Sequence, residues 1–222
     1  MNASDRLKHA KQLFDEGDFY NAKIQFRIIT LNYPGFTGAE EAQFYKAECN
    51  FELKEYYLAA YEYDRFVKNY PASEYADDAL YKTGMAYLGL SPKSSLDQEY
   101  TYSAINAFQK LNTDFPYSKF LEDANTKIAD CRAKLAKKKY DTAHLYQELH
   151  YWPSAIRYYY IVQTDFYDTK YAEDAAFWAC HCYVKTKQFD KAKTDLKRFL
   201  LRYPNSKYRK RAEKLAVSVN KN

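Results

Sequence analysis

The histidines are the first side chains to consider for catalysis or metal binding. All four fall in predicted helices, without the H-E-x-x-H spacing that places two metal ligands on one helix face. Glu148 and His150 are two residues apart and therefore point to different faces. The sequence contains no G-x-S-x-G, P-loop or G-x-G-x-x-G motif. We expect no enzymatic role, no metal and no cofactor. The histidines are His9, His144, His150 and His181.

The cysteines have no spacing typical of a zinc site or an easy disulfide. Cys180 and Cys182 form a C-x-C pair in a predicted helix, where their side chains diverge by about 200°. No pair of C-x-x-C units is present. We expect Cys49, Cys131, Cys180 and Cys182 to be small buried hydrophobic residues.

The net charge of +5 is unevenly distributed along the chain. Residues 1–100 contain 11 lysines and arginines against 16 aspartates and glutamates, whereas residues 101–222 contain 23 against 13. Basic residues cluster at 132–139 and 207–214. Such clusters are either solvated helix faces or docking surfaces for an acidic partner or anionic lipid head groups. No nucleic-acid-binding motif accompanies them, so nucleic acid is not an expected partner.

A proline recurs at intervals near 37 residues and is preceded by a fixed pattern. An alanine stands twelve residues before each proline and a bulky apolar residue eight before it. Residues four apart share a helix face, and proline ends a helix, so each unit is predicted to close with an amphipathic helix. The prolines are Pro34, Pro71, Pro116 and Pro204, the alanines Ala22, Ala59, Ala104 and Ala192, and the bulky residues Phe26, Tyr63, Phe108 and Leu196.

A second helical pattern precedes each of these helices, which predicts a helix–turn–helix repeat. Gly17 is expected to form the short turn of the first unit, with Lys54 and Lys187 at equivalent places. Small residues near positions 8 and 20, a bulky one at 24 and proline at 32 are typical of the tetratricopeptide repeat (TPR). The predicted fold is all-α, a right-handed α-solenoid of about five TPRs with a concave surface lined by the first helices.

The fourth unit departs from this regularity. Residues 121–149 contain neither glycine nor proline, which predicts one helix of about 28 residues joining units three and four. Ala155 and Tyr159 repeat the small–aromatic pair, but Tyr167 stands where the other units have proline. In the third unit, residues 90–96 lengthen the turn, either as an inert loop or as part of a contact surface.

A concave helical-repeat surface is expected to bind an extended or helical segment of a partner. An exposed aromatic row on it would favour peptides rich in aromatic and apolar side chains, although the same rings could instead pack between repeats. Gly84 is placed as the equivalent of Lys11 and Glu48. The predicted peptide-binding residues are Leu7, Lys11, Phe14, Phe44, Glu48, Phe51, Leu80 and Tyr87.

Residues 131–169 carry a more specific pattern than a generic TPR. Leu135-Ala136-Lys137, Tyr140, Ala143 and Tyr146 follow one another on the long helix and lead to Trp152 after the next turn. This pattern resembles the BamD family of outer-membrane β-barrel assembly lipoproteins. Residues 10–34 are similar to that family's opening repeat, and nearly the whole chain matches its five-repeat architecture.

The resemblance implies a non-enzymatic scaffold at the periplasmic face of a Gram-negative outer membrane. A lipid anchor would precede residue 1, since the lipid-acceptor cysteine does not occur in this sequence. Residues 119–222 would bind POTRA domains of the barrel-forming subunit BamA, and residues 1–118 would receive C-terminal segments of unfolded β-barrel proteins. Other lipoproteins of the assembly complex are further implied partners. We expect Trp152, Arg157 and Tyr158 at the BamA interface, where arginine pairs bidentately with a carboxylate.

Two alternatives remain open on the sequence alone. One is another periplasmic TPR adaptor, such as a cell-envelope or division coordinator. The other is a cytosolic co-chaperone that clamps a C-terminal carboxylate, which calls for basic or amide side chains repeated along the first helices. Lys11 suits such a clamp, but Glu48 and Gly84 hold the next two places assigned to it.

Overall fold

A computed structural model describes residues 1–220, and this part of the chain is helical with no strand. None of its helices combines the length and the apolar character that a bilayer-crossing segment needs. The helices of these residues are α1 (Ala3–Asp15), α2 (Phe19–Asn32), α3 (Ala39–Glu52), α4 (Tyr56–Asn69), α5 (Ala76–Leu90), α6 (Glu99–Asp114), α7 (Leu121–Glu148), α8 (Trp152–Asp165), α9 (Tyr171–Lys185), α10 (Phe189–Arg202) and α11 (Arg209–Val219).

The proline-punctuated helix–turn–helix pattern is confirmed. Each of the four prolines lies two residues beyond the last residue of α2, α4, α6 or α10. The aromatic residue between helix and proline still donates its backbone N–H to the helix, as Tyr33 does to the Ile29 carbonyl at 2.9 Å. Proline cannot extend that ladder, and it disfavours helical geometry in the residue before it. The fold is therefore a helical-repeat solenoid of the TPR class.

The small–bulky pair of each second helix forms the packing centre of its repeat. The alanines and the bulky residues four positions later are fully buried in α2, α4, α6, α8 and α10. Each of α2 to α5 packs against the helix before it and the helix after it. Because alanine lets the neighbouring helix approach, the bulky residue one turn later can fill the space between the two helices.

The three-residue turns within repeats end their first helices in left-handed backbone geometry. Gly17 has φ +81°, and the equivalent Lys54, His150 and Lys187 have φ of 60°, 61° and 58°. The residue after each left-handed position donates its backbone N–H to a helical carbonyl, as Glu55 does to Asn50 at 2.8 Å. This is the αL helix cap that glycine adopts without cost. The equivalence of Gly17, Lys54 and Lys187 is confirmed, and His150 is its fourth member.

The predicted long helix is confirmed, since α7 has 28 residues. Arg132 on α7 donates from Nε and Nη2 to the two carboxylate oxygens of Asp168 at 2.7 and 2.6 Å. Its Nη2 also donates at 2.7 Å to the carbonyl of Asp165, the last residue of α8. The pair lowers the pKa of the Asp168 carboxyl. Arg132 thus satisfies the end of α8 in the unit where Tyr167 replaces the usual proline.

The chain divides into two compact units, Met1–Cys131 and Arg132–Asn222. The sequence predicted a division between residues 118 and 119, at the approach to α7; the observed boundary lies within α7. Each unit has a core of its own. Phe26 and Ile29 belong to one in the first unit, and Tyr159 and Phe177 belong to cores in the second.

Candidate functional site

The first helices of the N-terminal repeats share a register, and the residues predicted for α5 lie one position out of it. Ala10, Ala47 and Gly84 follow one another at intervals of 37 residues. Gly84 is therefore the counterpart of the two alanines and not, as predicted, of Lys11 and Glu48. A Cβ added to Gly84 would lie 2.4 Å from the ring of the fully buried Phe108. Gly84 is therefore a packing position at which the second helix approaches closely, and it does not face a ligand.

Burial excludes two of the predicted peptide-binding positions, and the register reassigns a third. Phe44 is 5% exposed and stacks on Tyr75 with ring centroids 4.7 Å apart, and Leu80 is 1% exposed. Both are core residues that present no side chain to a partner. Tyr87 is half-buried, but it lines a groove between α4 and α6 and is the counterpart of Asn50, not of Phe14 and Phe51.

Glu48 is held inside the repeat by two partners. Its carboxylate accepts a hydrogen bond from the hydroxyl of the fully buried Tyr63, and Lys82 donates to it at 3.0 Å. Burial, followed by the Glu48 charge, raises the pKa of Tyr63 well above its usual value. The Lys82 ammonium also lies 5.0 Å from the Phe51 ring centroid. Glu48 therefore organises the contact between α3, α4 and α5 and is 9% exposed.

The remaining predicted groove residues lie at the surface and are half-buried. Lys11 pairs with Glu41 at 2.6 Å, which raises the pKa of the lysine, and its ammonium lies 5.4 Å from the Tyr45 ring centroid. Phe14 makes edge contacts with Tyr45 and Phe19, with centroids 5.1 and 5.2 Å apart. Leu7 packs beside them in the same cluster. An aromatic surface with one lysine therefore exists on α1 and α3.

Tyr45 and Lys82, which were not among the predicted residues, occupy one register position on α3 and α5. Tyr45 joins Phe14 to Phe44, whose centroid lies 5.8 Å away, and Lys82 links Glu48 to Phe51. The 37-residue spacing of Ala10, Ala47 and Gly84 was the signal that could have identified them. The same spacing aligns Tyr45 with Lys82 and shifts the predicted α5 positions by one residue.

The predicted partner-binding residues lie at the start of α8 but do not share one helix face. Trp152 is half-buried against a core cluster, and its ring makes an edge contact with the His150 ring, with centroids 5.2 Å apart. Tyr158 stacks on Tyr146 at 5.5 Å, with the Lys139 ammonium 5.8 Å from its ring. Arg157 is exposed and has no ion-pair partner in the described part of the chain. Trp152 and Arg157 differ by about 140° around the helix, so one flat surface cannot engage both equally.

Burial shifts the pKa values of three cysteines and one histidine. All four cysteines are buried and unbridged, and burial raises the pKa of the Cys49, Cys180 and Cys182 thiols to about 12. Burial, together with Lys185 and Arg211, lowers the pKa of His181. Within residues 1–220, no group of three or more histidine, cysteine, aspartate or glutamate side chains is arranged to hold a metal ion.

Comparison with known proteins gives the family. A model of the YfiO outer membrane lipoproteins matches residues 1–187, and a tetratricopeptide-repeat model matches residues 181–206. The chain belongs to the BamD (YfiO) family. The outer membrane protein assembly factor BamD of Rickettsia prowazekii (strain Madrid E) is 25% identical over 196 residues, which cover 88% of this chain and 78% of that protein. The resemblance inferred from residues 131–169 is confirmed.

Two further comparisons cover a shorter match and a more distant one. BamD of Pasteurella multocida (strain Pm70) is 24% identical over 140 residues, covering 59% of this chain and 54% of that protein. The solved structure of a yeast Sti1 TPR2AB-domain:pHSP90 complex superposes with a TM-score of 0.49 at 17% identity, covering 98% of this BamD-family chain and 82% of that chain.

Proposed function

We propose that this BamD-family chain is a non-enzymatic scaffold for assembling β-barrel proteins in the outer membrane. It acts at the periplasmic face, held by a lipid anchor, where its second unit binds POTRA domains of BamA. Its first unit receives the C-terminal segments of unfolded β-barrel proteins. The observation that carries this proposal is the family match over residues 1–187, which covers the first unit and extends well into the second.

The surface of α8 supports partner binding by the second unit. Arg157 is exposed and unpaired among the described residues, so it can form a bidentate pair with a partner carboxylate without first losing an internal one. Lys139 and Tyr158 lie beside each other on α7 and α8 and add a basic, aromatic border. Exposed arginine and aromatic side chains are enriched at protein interfaces.

The α1–α3 surface supports the binding of a segment that ends in an aromatic residue. Phe14 and Tyr45 present half-buried rings, and Lys11 provides a cation near them. The ring edges can contact a terminal aromatic side chain, and the ammonium can attract a terminal carboxylate in competition with Glu41.

The partner half of the proposal is tested by titrating the chain with the POTRA domains of BamA from the same organism. Arg157→Glu is expected to weaken binding at least about tenfold, since it places a like charge against the proposed carboxylate. Lys110→Glu on α6 makes the same type of charge change on the first unit and is expected to bind as the parent does. No binding by the parent chain would overturn this assignment, and equal binding by Arg157→Glu would remove Arg157 from the interface.

The substrate half is tested with a labelled C-terminal peptide of an outer-membrane β-barrel protein that ends in phenylalanine. Fluorescence anisotropy is expected to show about fivefold tighter binding than for the same peptide ending in alanine, which corresponds to about 1 kcal/mol. Lys11→Ala should reduce that preference, whereas Tyr102→Leu, an exposed ring on α6, should not. Equal affinity for the two peptides would contradict the proposed recognition.

A further inference from the structure

The first unit has a groove that is separate from the aromatic surface on α1 and α3. It is a groove of about 500 Å³ between α2 and α4, with Lys46 and Asn50 of α3 as its floor. The α2 wall presents Tyr20, Ile24, Arg27 and Leu31, and this spacing of four, three and four residues forms a stripe along one helix face. The α4 wall presents Leu58, Glu62 and Arg65 with the same helical spacing.

Large apolar side chains are exposed on the walls of this α2–α4 groove. Tyr20 is 62% exposed, Leu31 is 66% exposed and Leu58 is 49% exposed. Contiguous apolar surface with a polar border marks sites of protein contact more often than scattered single residues do. The α2 stripe spans twelve residues, or about 16 Å from first to last, which matches about three turns of a docked helix.

The charges of the α2–α4 groove indicate the sign of the charge that a partner would carry. Lys46 pairs with Glu62 at 2.8 Å on the floor, and Lys23 pairs with Glu55 at 2.6 Å. Arg27 and Arg65, on opposite walls, are exposed and have no ion-pair partner in the described residues. The groove thus presents two uncompensated guanidinium groups beside apolar side chains, and a partner carboxylate would complement them.

The next repeat provides an internal comparison. The equivalent groove between α4 and α6 has about half the volume, about 260 Å³. There Asp64 stands in the place of Arg27, Ser103 in the place of Leu58, and Lys110 in the place of Arg65. The same repeat architecture therefore produces a smaller groove, in which one aspartate and one lysine balance each other. The apolar and basic character of the α2–α4 groove comes from its side chains and is not a general property of the repeat.

We propose that the α2–α4 groove binds an acidic amphipathic helix of a partner protein. The helix places apolar side chains against Tyr20, Leu31 and Leu58, and its carboxylates pair with Arg27 and Arg65 on either wall. This surface is distinct from the two that carry the proposed function, so either assignment can fail without the other.

The test uses a fluorescein-labelled designed helix of about 14 residues, long enough for the observed stripe. It carries leucines at positions i, i+3, i+4 and i+7 with glutamates on both flanks; a second peptide replaces every glutamate with lysine. Anisotropy with the whole chain is expected to show binding of the acidic peptide at least about tenfold tighter than that of the basic one. The preference should weaken as the salt concentration rises.

Variants locate the binding on the chain. The double substitution Arg27→Glu with Arg65→Glu is expected to weaken binding of the acidic peptide at least about tenfold. Leu58→Ser, which introduces the serine found at position 103 in the next groove, should weaken its binding severalfold. Lys110→Glu is the matched control and should bind as the parent does; circular dichroism confirms that each variant is folded. Equal binding of the two peptides, unchanged binding by the double variant, or displacement of the peptide by phosphatidylglycerol vesicles would overturn the proposal.

Discussion

At the scale of single residues, Gly84 shows how one missing Cβ positions two helices. Its backbone lies so close to the Phe108 ring that a methyl group would contact three ring atoms at 2.4 to 2.7 Å. In Ala10 and Ala47, the same register position accommodates a methyl group and is fully buried. The sequence predicted a small residue at this point of the first helix, but the one-residue misalignment assigned Gly84 to a ligand-facing place.

Gly84→Ala is expected to destabilise the chain by about 1–2 kcal/mol. Overpacking against a buried ring costs about 1–3 kcal/mol and outweighs the gain of up to about 1 kcal/mol in helix propensity. Gly35→Ala is the control, because a Cβ there meets no atom within 4 Å and the change should stay within about 0.5 kcal/mol. The free energies of unfolding come from urea denaturation. Equal stability of the two variants would show that the Phe108 ring yields without cost.

Asp78 provides a test with a defined dependence on pH. Desolvation by burial, and next the charge of Glu48, raise the pKa of its carboxyl, and its Oδ1 is buried without a hydrogen-bond partner. Its ionised form therefore opposes folding at neutral pH. As the pH falls through the folded-state pKa, the folded chain takes up a proton first and this penalty disappears.

Asp78→Asn is accordingly expected to raise the free energy of unfolding at pH 7. The gain should shrink toward zero at about pH 3.5, where the carboxyl is largely protonated in both states. Asp77→Asn is the control, because Asp77 accepts a hydrogen bond from the Ser118 hydroxyl at 2.7 Å and should lose stability. Urea denaturation at the two pH values measures both effects. A loss of stability in Asp78→Asn at pH 7 would contradict the account of this carboxyl.

At the scale of helices and turns, the sequence predicts most of what the structure shows. Proline and the small–bulky pair located the ends of α2, α4, α6 and α10, and the absence of glycine and proline predicted the length of α7. These features act within one helix or one turn, so local sequence is sufficient. The burial of Phe44 and Leu80 was not predictable in the same way, since it depends on helices that pack from both sides. The bidentate ion pair of Arg132 and Asp168 joins residues 36 positions apart, and no local sequence pattern indicates it.

Lys54→Gly is expected to stabilise the chain by about 0.5–1 kcal/mol. Lys54 adopts φ 60°, a conformation that costs an L-residue about 1–2 kcal/mol. Glycine removes this cost, but it loses more conformational entropy on folding, which cancels part of the gain. The reciprocal change, Gly17→Ala, should destabilise by about 1 kcal/mol at φ +81°. Urea denaturation measures both changes. A destabilising Lys54→Gly would indicate that the lysine side chain contributes more than its backbone strain costs.

At the scale of the whole molecule, the family could be inferred from residues 131–169, but the binding surfaces could not be located from sequence. A repeat places equivalent residues in equivalent positions, and the side chains at those positions then distinguish one groove from the next. The α2–α4 and α4–α6 grooves have the same construction, yet Arg27 and Asp64 give them opposite charges at one position. The charge of each groove in this repeat architecture therefore depends on its own exposed side chains.

The central claim is that this BamD-family chain assists the assembly of outer-membrane β-barrels by binding. Its most direct test is depletion of the chain from its own organism, followed by measurement of folded β-barrel proteins in the outer membrane through their heat-modifiable electrophoretic migration. The account predicts that the folded fraction falls on depletion and returns when the parent chain is supplied, but returns less with Arg157→Glu than with Lys110→Glu. An unchanged amount of folded β-barrel protein after depletion would contradict it.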